Sequence, residues 1–520
     1  MRFSARFSLL TLAAVLLTGS LWAQGNFVYT NNNQDPNTVS AFSVAANGAL
    51  TPVPGSPFST GGRGSVAGLF AVNRAAVSGN FLFVPNATSN DVSVFSIDPA
   101  TGVLAAVPGS PFATGNTPLF PGNANGIAVA ATPDGRFLMA ASNFSSNVAV
   151  FSIGSNGALT PIAGSPFATQ GNTNAIRISP DGKFLAVTKS NSFTIAPNKL
   201  EMFSIASDGS LTSLGGLQAA APAGIDIDCS SSFLYTAEAN LSGTIVDAYS
   251  IGSDGTLTAL PGSPFSPASG RNSNVVLLSP DGKTMFVSNQ SSSTLTALSV
   301  APDGTLSLMP GSPFLMTGSV AFPAGMATSK DGSLLYVADS NPAISVFQVG
   351  TNGSLTEAPG SPFPTGGVGG LRSLTAFPSK TCAAPVLTVG IQIKDDDDDD
   401  DSPQPARINP RSHGKIPVAI LSTPDFNALT EVDPQSLTFG RTGDEASLAF
   451  CNRFGEDVNN DGLADLVCHF NSRPAGFLPG DTTAVLKGKT LSGTQIQGSE
   501  SIRTVGHDGK EDHDRGNHHD

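Results

Sequence analysis

The chain has 520 residues and a formal net charge of −14, with 13% charged against 40% hydrophobic side chains. An acidic chain without basic clusters sets nucleic acid aside as a partner. At this length it holds several domains, or one large ring with an extra module.

Arg2 and Arg6 precede an apolar stretch from Phe7 to Leu21, and Trp22-Ala23-Gln24 follows. Residues 1–23 are read as a secretory signal cleaved after Ala23. The stretch is short for a membrane anchor and is broken by Thr18-Gly19-Ser20. No later segment is long and apolar enough to span a bilayer. The expected location is outside the cytoplasm: extracellular, at the cell surface or in the periplasm.

From Phe27 onward a pattern repeats. Pro-Gly-Ser-Pro-Phe stands at 54–58, 108–112, 261–265, 310–314 and 359–363, with Ala-Gly-Ser-Pro-Phe at 163–167. A period of about 50 residues indicates blades of an array. Each unit opens on an apolar run such as Phe81-Leu82-Phe83-Val84. An alternating strand such as Val92 to Ile97 follows, with Val92, Val94 and Ser96 expected on one face. Next comes an Asn-Gly or Asp-Gly pair, read as a two-residue hairpin turn whose members supply positive φ angles. The strand after it runs into the pentapeptide, whose prolines mark an outer edge. A fourth strand precedes turns such as Ser-Pro-Asp-Gly at 179–182 and 279–282.

Four strands per unit over 24–382 predict a seven-bladed β-propeller. The first unit begins on its second strand, so Leu371 to Phe377 is expected to close the ring as its inner strand. Blade four is the odd copy, with Ser-Leu-Gly-Gly-Leu at 213–217 in place of the pentapeptide. Loops before the inner strands carry Arg63, Asn125, Asn174, Arg271, Asn274 and Arg372. This polar, mildly basic mouth is the candidate site for a small-molecule, carbohydrate or protein ligand.

The blade text, Val-Ser-Val-Phe-Ser-Ile (92–97) with the pentapeptide and Ser-Pro-Asp-Gly, resembles the lactonase-type seven-bladed propellers. These include 6-phosphogluconolactonase-like proteins and surface propellers with Tyr-Val-Thr-Asn repeats. The resemblance covers residues 27–382. For enzymatic members it implies histidine, arginine and glutamate converging at one mouth. This chain departs from that set, because its six histidines (413, 469, 507, 513, 518 and 519) all lie beyond the ring. Pro222-Ala223-Gly224 and Pro323-Ala324-Gly325 stand where relatives carry Pro-Arg-His. Glu238 stands one residue short of the relatives' acidic position. Lactone hydrolysis needs a base and an anion-stabilising donor; the candidates are Glu238 with Arg271, or with Arg177 or Arg372. The favoured reading is a non-catalytic propeller that binds or scaffolds; the alternative is a secreted lactonase with a histidine-free site.

Beyond Cys382 the period stops. Residues 383–406 hold a predicted strand, Val386 to Ile393, and seven aspartates, Asp395 to Asp401, read as a solvated linker. Residues 407–505 resemble a small β-rich module found at the ends of exported bacterial proteins, carried by Ile408-Asn409-Pro410-Arg411-Ser412 and Ile416 to Leu421. The complete expected fold is therefore all-β, a seven-bladed propeller plus a small sandwich-like β domain. Asp457, Asn459, Asp461 and Asp465 occupy positions 1, 3, 5 and 9 of Asp-Val-Asn-Asn-Asp-Gly-Leu-Ala-Asp, with the Leu463 carbonyl between the last two. Alternate oxygen ligands with a glycine at the turn suit calcium in a structural role. Cys451 and Cys468 flank this loop and are expected to form a disulfide. Cys229 and Cys382 belong to blades that are not neighbours and are expected to be lone thiols. Residues 506–520 read as a disordered His/Asp-rich tail.

Overall fold

The computed structural model describes residues 25–505 apart from 66–74, 116–125, 190–198, 220–221, 240–242, 269, 318–322, 340, 368–372, 381, 383–386, 395–404, 425, 453 and 492–493. The signal segment, the aspartate run and the tail lie outside the described residues, as do Asn125 and Arg372. The chain divides into two compact units, Met1–Thr381 and Cys382–Asp520. Among the described residues no helix is long and apolar enough to cross a membrane.

The first unit is a propeller of seven antiparallel sheets. Each blade's inner strand packs against those of its neighbours, and the ring closes through Ser373–Phe377. That strand pairs with Phe27–Asn31 in the register Phe27↔Phe377 to Asn31↔Ser373, so blade one joins both ends of the ring as the sequence predicts.

The pentapeptide has a structural task at the edge of the blade. Blade two's third strand, Asp91–Ile97, pairs outward with two short pieces, Leu104–Ala106 and Phe112–Ala113. Between them the pentapeptide loops away, and the strand would lose a partner there. Ser110 Oγ accepts from Val94 N at 2.9 Å and fills the gap. The same bond recurs as Ala41 N to Ser56, Val150 N to Ser165, Ala248 N to Ser263, Ala297 N to Ser312 and Val346 N to Ser361. Blade four lacks the motif and instead has an unbroken outer strand, Leu211–Gln218.

One sequence expectation changes. In blade one the hairpin turn is a three-residue loop: Ala45 N bonds to Ala49 O, and Gly48 N to Ala45 O. Only the glycine has positive φ (Gly48, +86°; Gly102, +73°), while the preceding Asn or Asp caps the turn. This is a type I turn with a left-handed third residue. At Gly102 a Cβ would collide with the Phe27 ring, and Gly102 O accepts from the Tyr29 hydroxyl. The recurring phenylalanine and glycine are thus one contact between consecutive blades. On the third strand Val92 and Val94 share a face as expected and pack toward blade three, while Phe95 and Ile97 pack toward blade one. A blade lies between two others, so both its faces are buried.

The second unit holds two sheets over one core that includes Val418, Phe439, Phe470 and Leu486. The predicted strand at 386–393 is broken in two. Leu387–Thr388 pairs with Ile496–Gln497 in one sheet, and Ile391–Ile393 with Val418–Ile420 in the other. Cys451 and Cys468 form the expected disulfide between directly paired positions of adjacent strands. Cys229 and Cys382 correct the lone-thiol expectation: both are disulfide-bonded and no cysteine is free. Blade number misled here. Inner strands of every blade converge on the axis, and Lys380 already lies against Asp226 of blade five and Leu278 of blade six.

Candidate functional site

The mouth is the end of the channel where inner strands begin and second strands finish. In blades four, five and six the inner strands Thr173–Ile178, Pro222–Ile227 and Ser273–Leu278 each carry a register shift at this end. A bulge re-aims side chains and is common beside sites. Asn174 and Asn274 sit within these shifts, half-buried. Both sequence candidates therefore reach the same sector of the mouth.

One position shows how this sector departs from the repeat. At the end of blade two's second strand, Asn86 Nδ2 donates to Ser93 Oγ on the third strand at 2.7 Å. Its Oδ1 accepts from Asn37 and Thr60 of blade one, tying the blades together. Blade six repeats this with Asn289 donating to Thr296, and blade one with Asn32 and Ser40. In blade four the two positions are Lys189 and Glu201, a fully buried ion pair with each side chain 1% exposed. Glu201 also accepts from Gln170 N and Ser213 Oγ, the latter within the segment that replaces the pentapeptide. In blade five they are Glu238 and Asp247, two buried carboxyls joined by a hydrogen bond. Burial pushes the Asp247 carboxyl above its usual range, while the bonds from Glu238 and Thr236 pull it back. Two carboxyls buried side by side cannot both ionise cheaply.

The remaining candidates are dispersed. Arg63 is exposed and forms a forked ion pair with Asp35, from Nε at 3.0 Å and Nη2 at 2.7 Å. Arg271 is exposed, and its guanidinium forms no ion pair among the described residues; its main chain bonds Ser292 Oγ and Ser291 N. Arg177 lies toward the other end of the channel, against Asp226. Sequence reasoning missed Lys189, Glu201, Asp247, Asp226 and Lys380.

In the second unit the loop from Asp457 draws its oxygens inward. Asp461 N takes Asp457 Oδ1 at 3.1 Å and Asn459 Oδ1 at 3.2 Å, and Gly462, with φ +87°, donates to Asp457 Oδ2. The carboxylates of Asp457 and Asp461 stay exposed. Asp465 differs: it is buried, and its oxygens accept from Ser422 N and Val458 N. Leu463 N caps Asp461. The candidate donors are all oxygen and Asp465 is anchored to the fold, but among the described residues no three His, Cys, Asp or Glu side chains are grouped to hold a metal ion.

A family model described as lactonase, seven-bladed β-propeller, matches residues 110–201 and 259–366. Among solved structures, a proposed 6-phosphogluconolactonase of Bacteroides fragilis is 19% identical, with 69% of this chain and 99% of that chain covered and a TM-score of 0.52. The periplasmic gluconolactonase of Pseudomonas aeruginosa is 19% identical, with 68% and 98% covered and a TM-score of 0.51. A proposed 6-phosphogluconolactonase of Bacteroides uniformis gives 19%, 68%, 99% and 0.53. No curated protein matches the chain. At these identities the likeness is one of fold: a propeller akin to the lactonase-like proteins.

Proposed function

We propose that this chain is an exported lactonase-like propeller that binds a ligand or scaffolds a partner at its mouth without turning it over. The carrying observation is that most of the groups suited to acid–base or anion-stabilising work, Arg271 excepted, have other partners. Arg63 is engaged by Asp35, Arg177 by Asp226, and Glu238 by Asp247, while residues 24–382 have no histidine. The departures of blades four to six from the repeat favour that sector as the binding surface, since regular sequences break their own rules mostly where function asks for it. Purified protein incubated with sugar lactones is expected to leave hydrolysis at the spontaneous rate. Turnover lost in Glu238→Gln would overturn this reading.

One observation favours the alternative, a lactonase with a histidine-free site. Asp247 holds its proton more firmly than an ordinary aspartate and lies beside Glu238 at the mouth. A protonated carboxyl next to a second carboxyl is a workable acid–base pair. On that reading Asp247→Asn and Glu238→Gln each abolish measurable turnover.

For the second unit we propose structural calcium on Asp457, Asn459, Asp461, Asp465 and the Leu463 carbonyl. The cation would neutralise the loop's carboxylates and hold it between its flanking strands.

A further inference from the structure

The strand that closes the ring is tied down by more than its own blade. In six blades the four strands follow one another along the chain. Blade one alone joins the two ends of the first unit, through Ser373–Phe377 and Phe27–Asn31. Thr30 Oγ1 donates to Ser373 O at 2.8 Å, and the rings of Phe27 and Phe377 lie 6.4 Å apart. A five-residue strand at the end of a unit frays first unless something further holds it.

Three residues beyond Phe377, the chain is fixed to another part of the ring. Lys380 Nζ lies 3.2 Å from Asp226 Oδ2 and donates to Leu278 O at 2.8 Å. Asp226 and Leu278 stand where the inner strands of blades five and six end, away from the mouth. Blade one packs against blades two and seven, not against these. Three extended residues span about 10 Å, so the short path from Phe377 runs across the far opening of the channel. The anchor is buried, with Lys380 11% and Asp226 2% exposed. Drawing the ammonium out would strip a buried carboxylate of one cation, which is costly. Asp226 itself stays fixed without the lysine, by Arg177 Nε at 2.8 Å and by Leu278 N and Ile227 N.

We infer that residues 378–380 form a strap that latches the closing strand onto the far wall of the ring, with Lys380 as the latch. The seam in blade one is thereby coupled to blades five and six, which its own sheet does not reach. Losing the lysine loosens the strap and leaves the wall standing. The strap lies away from the mouth, so it holds or falls independently of the binding role proposed there.

Hydrogen exchange of the full chain, read by mass spectrometry, tests this. Cys382, two residues beyond Lys380, is disulfide-bonded and also restrains the end of the strap, so wild type and variants are compared reduced. In Lys380→Met, peptides covering 27–31 and 373–377 are expected to exchange at least about tenfold faster than in wild type, because a buried ion pair is broken. Blade three's inner strand, Ile127–Ala131, is expected to be unchanged. Lys380→Arg keeps a cation of sufficient reach and is expected to retain the seam's protection. Wild-type exchange at the seam of Lys380→Met, or faster exchange confined to blades five and six, would overturn the coupling. Equal acceleration in all blades would overturn it as well, since that is general destabilisation. Thermal melts establish that each reduced protein is folded.

Discussion

Lys189 and Glu201 form a fully buried ion pair at the two positions where blade two places Asn86 and Ser93. Removing one partner of a buried pair leaves a charge without compensation and costs about 3–5 kcal/mol, whereas replacing both is often nearly neutral. Glu201→Ser alone is thus expected to lower unfolding free energy by about 3–5 kcal/mol. The double variant Lys189→Asn with Glu201→Ser installs blade two's arrangement and is expected to recover most of that loss. Urea denaturation of the three proteins checks it, and a double variant no more stable than the single one would refute the equivalence of the positions.

Asp247 gives a pH signature. A carboxyl that holds its proton more tightly folded than unfolded stabilises the fold in acid. That contribution is complete below the ordinary aspartate value of about 4 and drains away as pH rises through the raised value. Asp247→Asn keeps the neutral form at every pH. The variant is expected to match wild type near pH 4 and to be more stable at pH 8, with the gap opening between. Melting temperatures across that range read it directly, and parallel profiles would dismiss the raised carboxyl.

Much of the propeller is written in local order. The pentapeptide, the recurring Gly turns and the opening strand at Phe27 give blade number and closure, because each depends on a short segment repeated at one period. The alternation at Val92 to Ile97 places Val92 and Val94 on one face, but only the neighbouring blades show that the other face is buried as well. Lys189 and Glu201 were detectable: aligning the repeats puts charges where other blades have Asn and Ser. The cluster on Asp226 was not, as Lys380 stands 154 residues away and nothing local announces it. Cys229 and Cys382, read as lone thiols, are both disulfide-bonded.

The pentapeptide serine predicts a small, repeated cost. Ser110→Ala removes the acceptor for Val94 N and leaves that amide without its partner at a half-covered edge. The loss is expected to be about 1–2 kcal/mol. The equivalent change at Ser165 or Ser312 should cost a similar amount, because the bond recurs at 2.9 and 2.8 Å. Serine-to-cysteine or threonine swaps do not test the point, since both retain an acceptor. Equal melting curves for Ser110→Ala and wild type would mean that water serves the amide as well.

The loop from Asp457 to Asp465 separates two roles that its sequence runs together. Asp457 and Asp461 keep exposed carboxylates on the loop, and Asp461 N is shared between Asp457 and Asn459. Asp465 is spent on Val458 N and Ser422 N, bonds that hold the loop whether or not a cation is present. Asp461→Ala is therefore expected to leave the metal-stripped protein nearly unchanged and to remove the stabilisation that calcium adds. Asp465→Ala is expected to destabilise the metal-stripped protein as well, by about 1–3 kcal/mol, because two backbone donors lose their acceptor. Calorimetric scans of the full chain, stripped with chelator and then supplied with calcium, distinguish them. A calcium increment that survives Asp461→Ala, or no increment in wild type, would remove calcium from this loop and leave it a turn held by Asp465 alone.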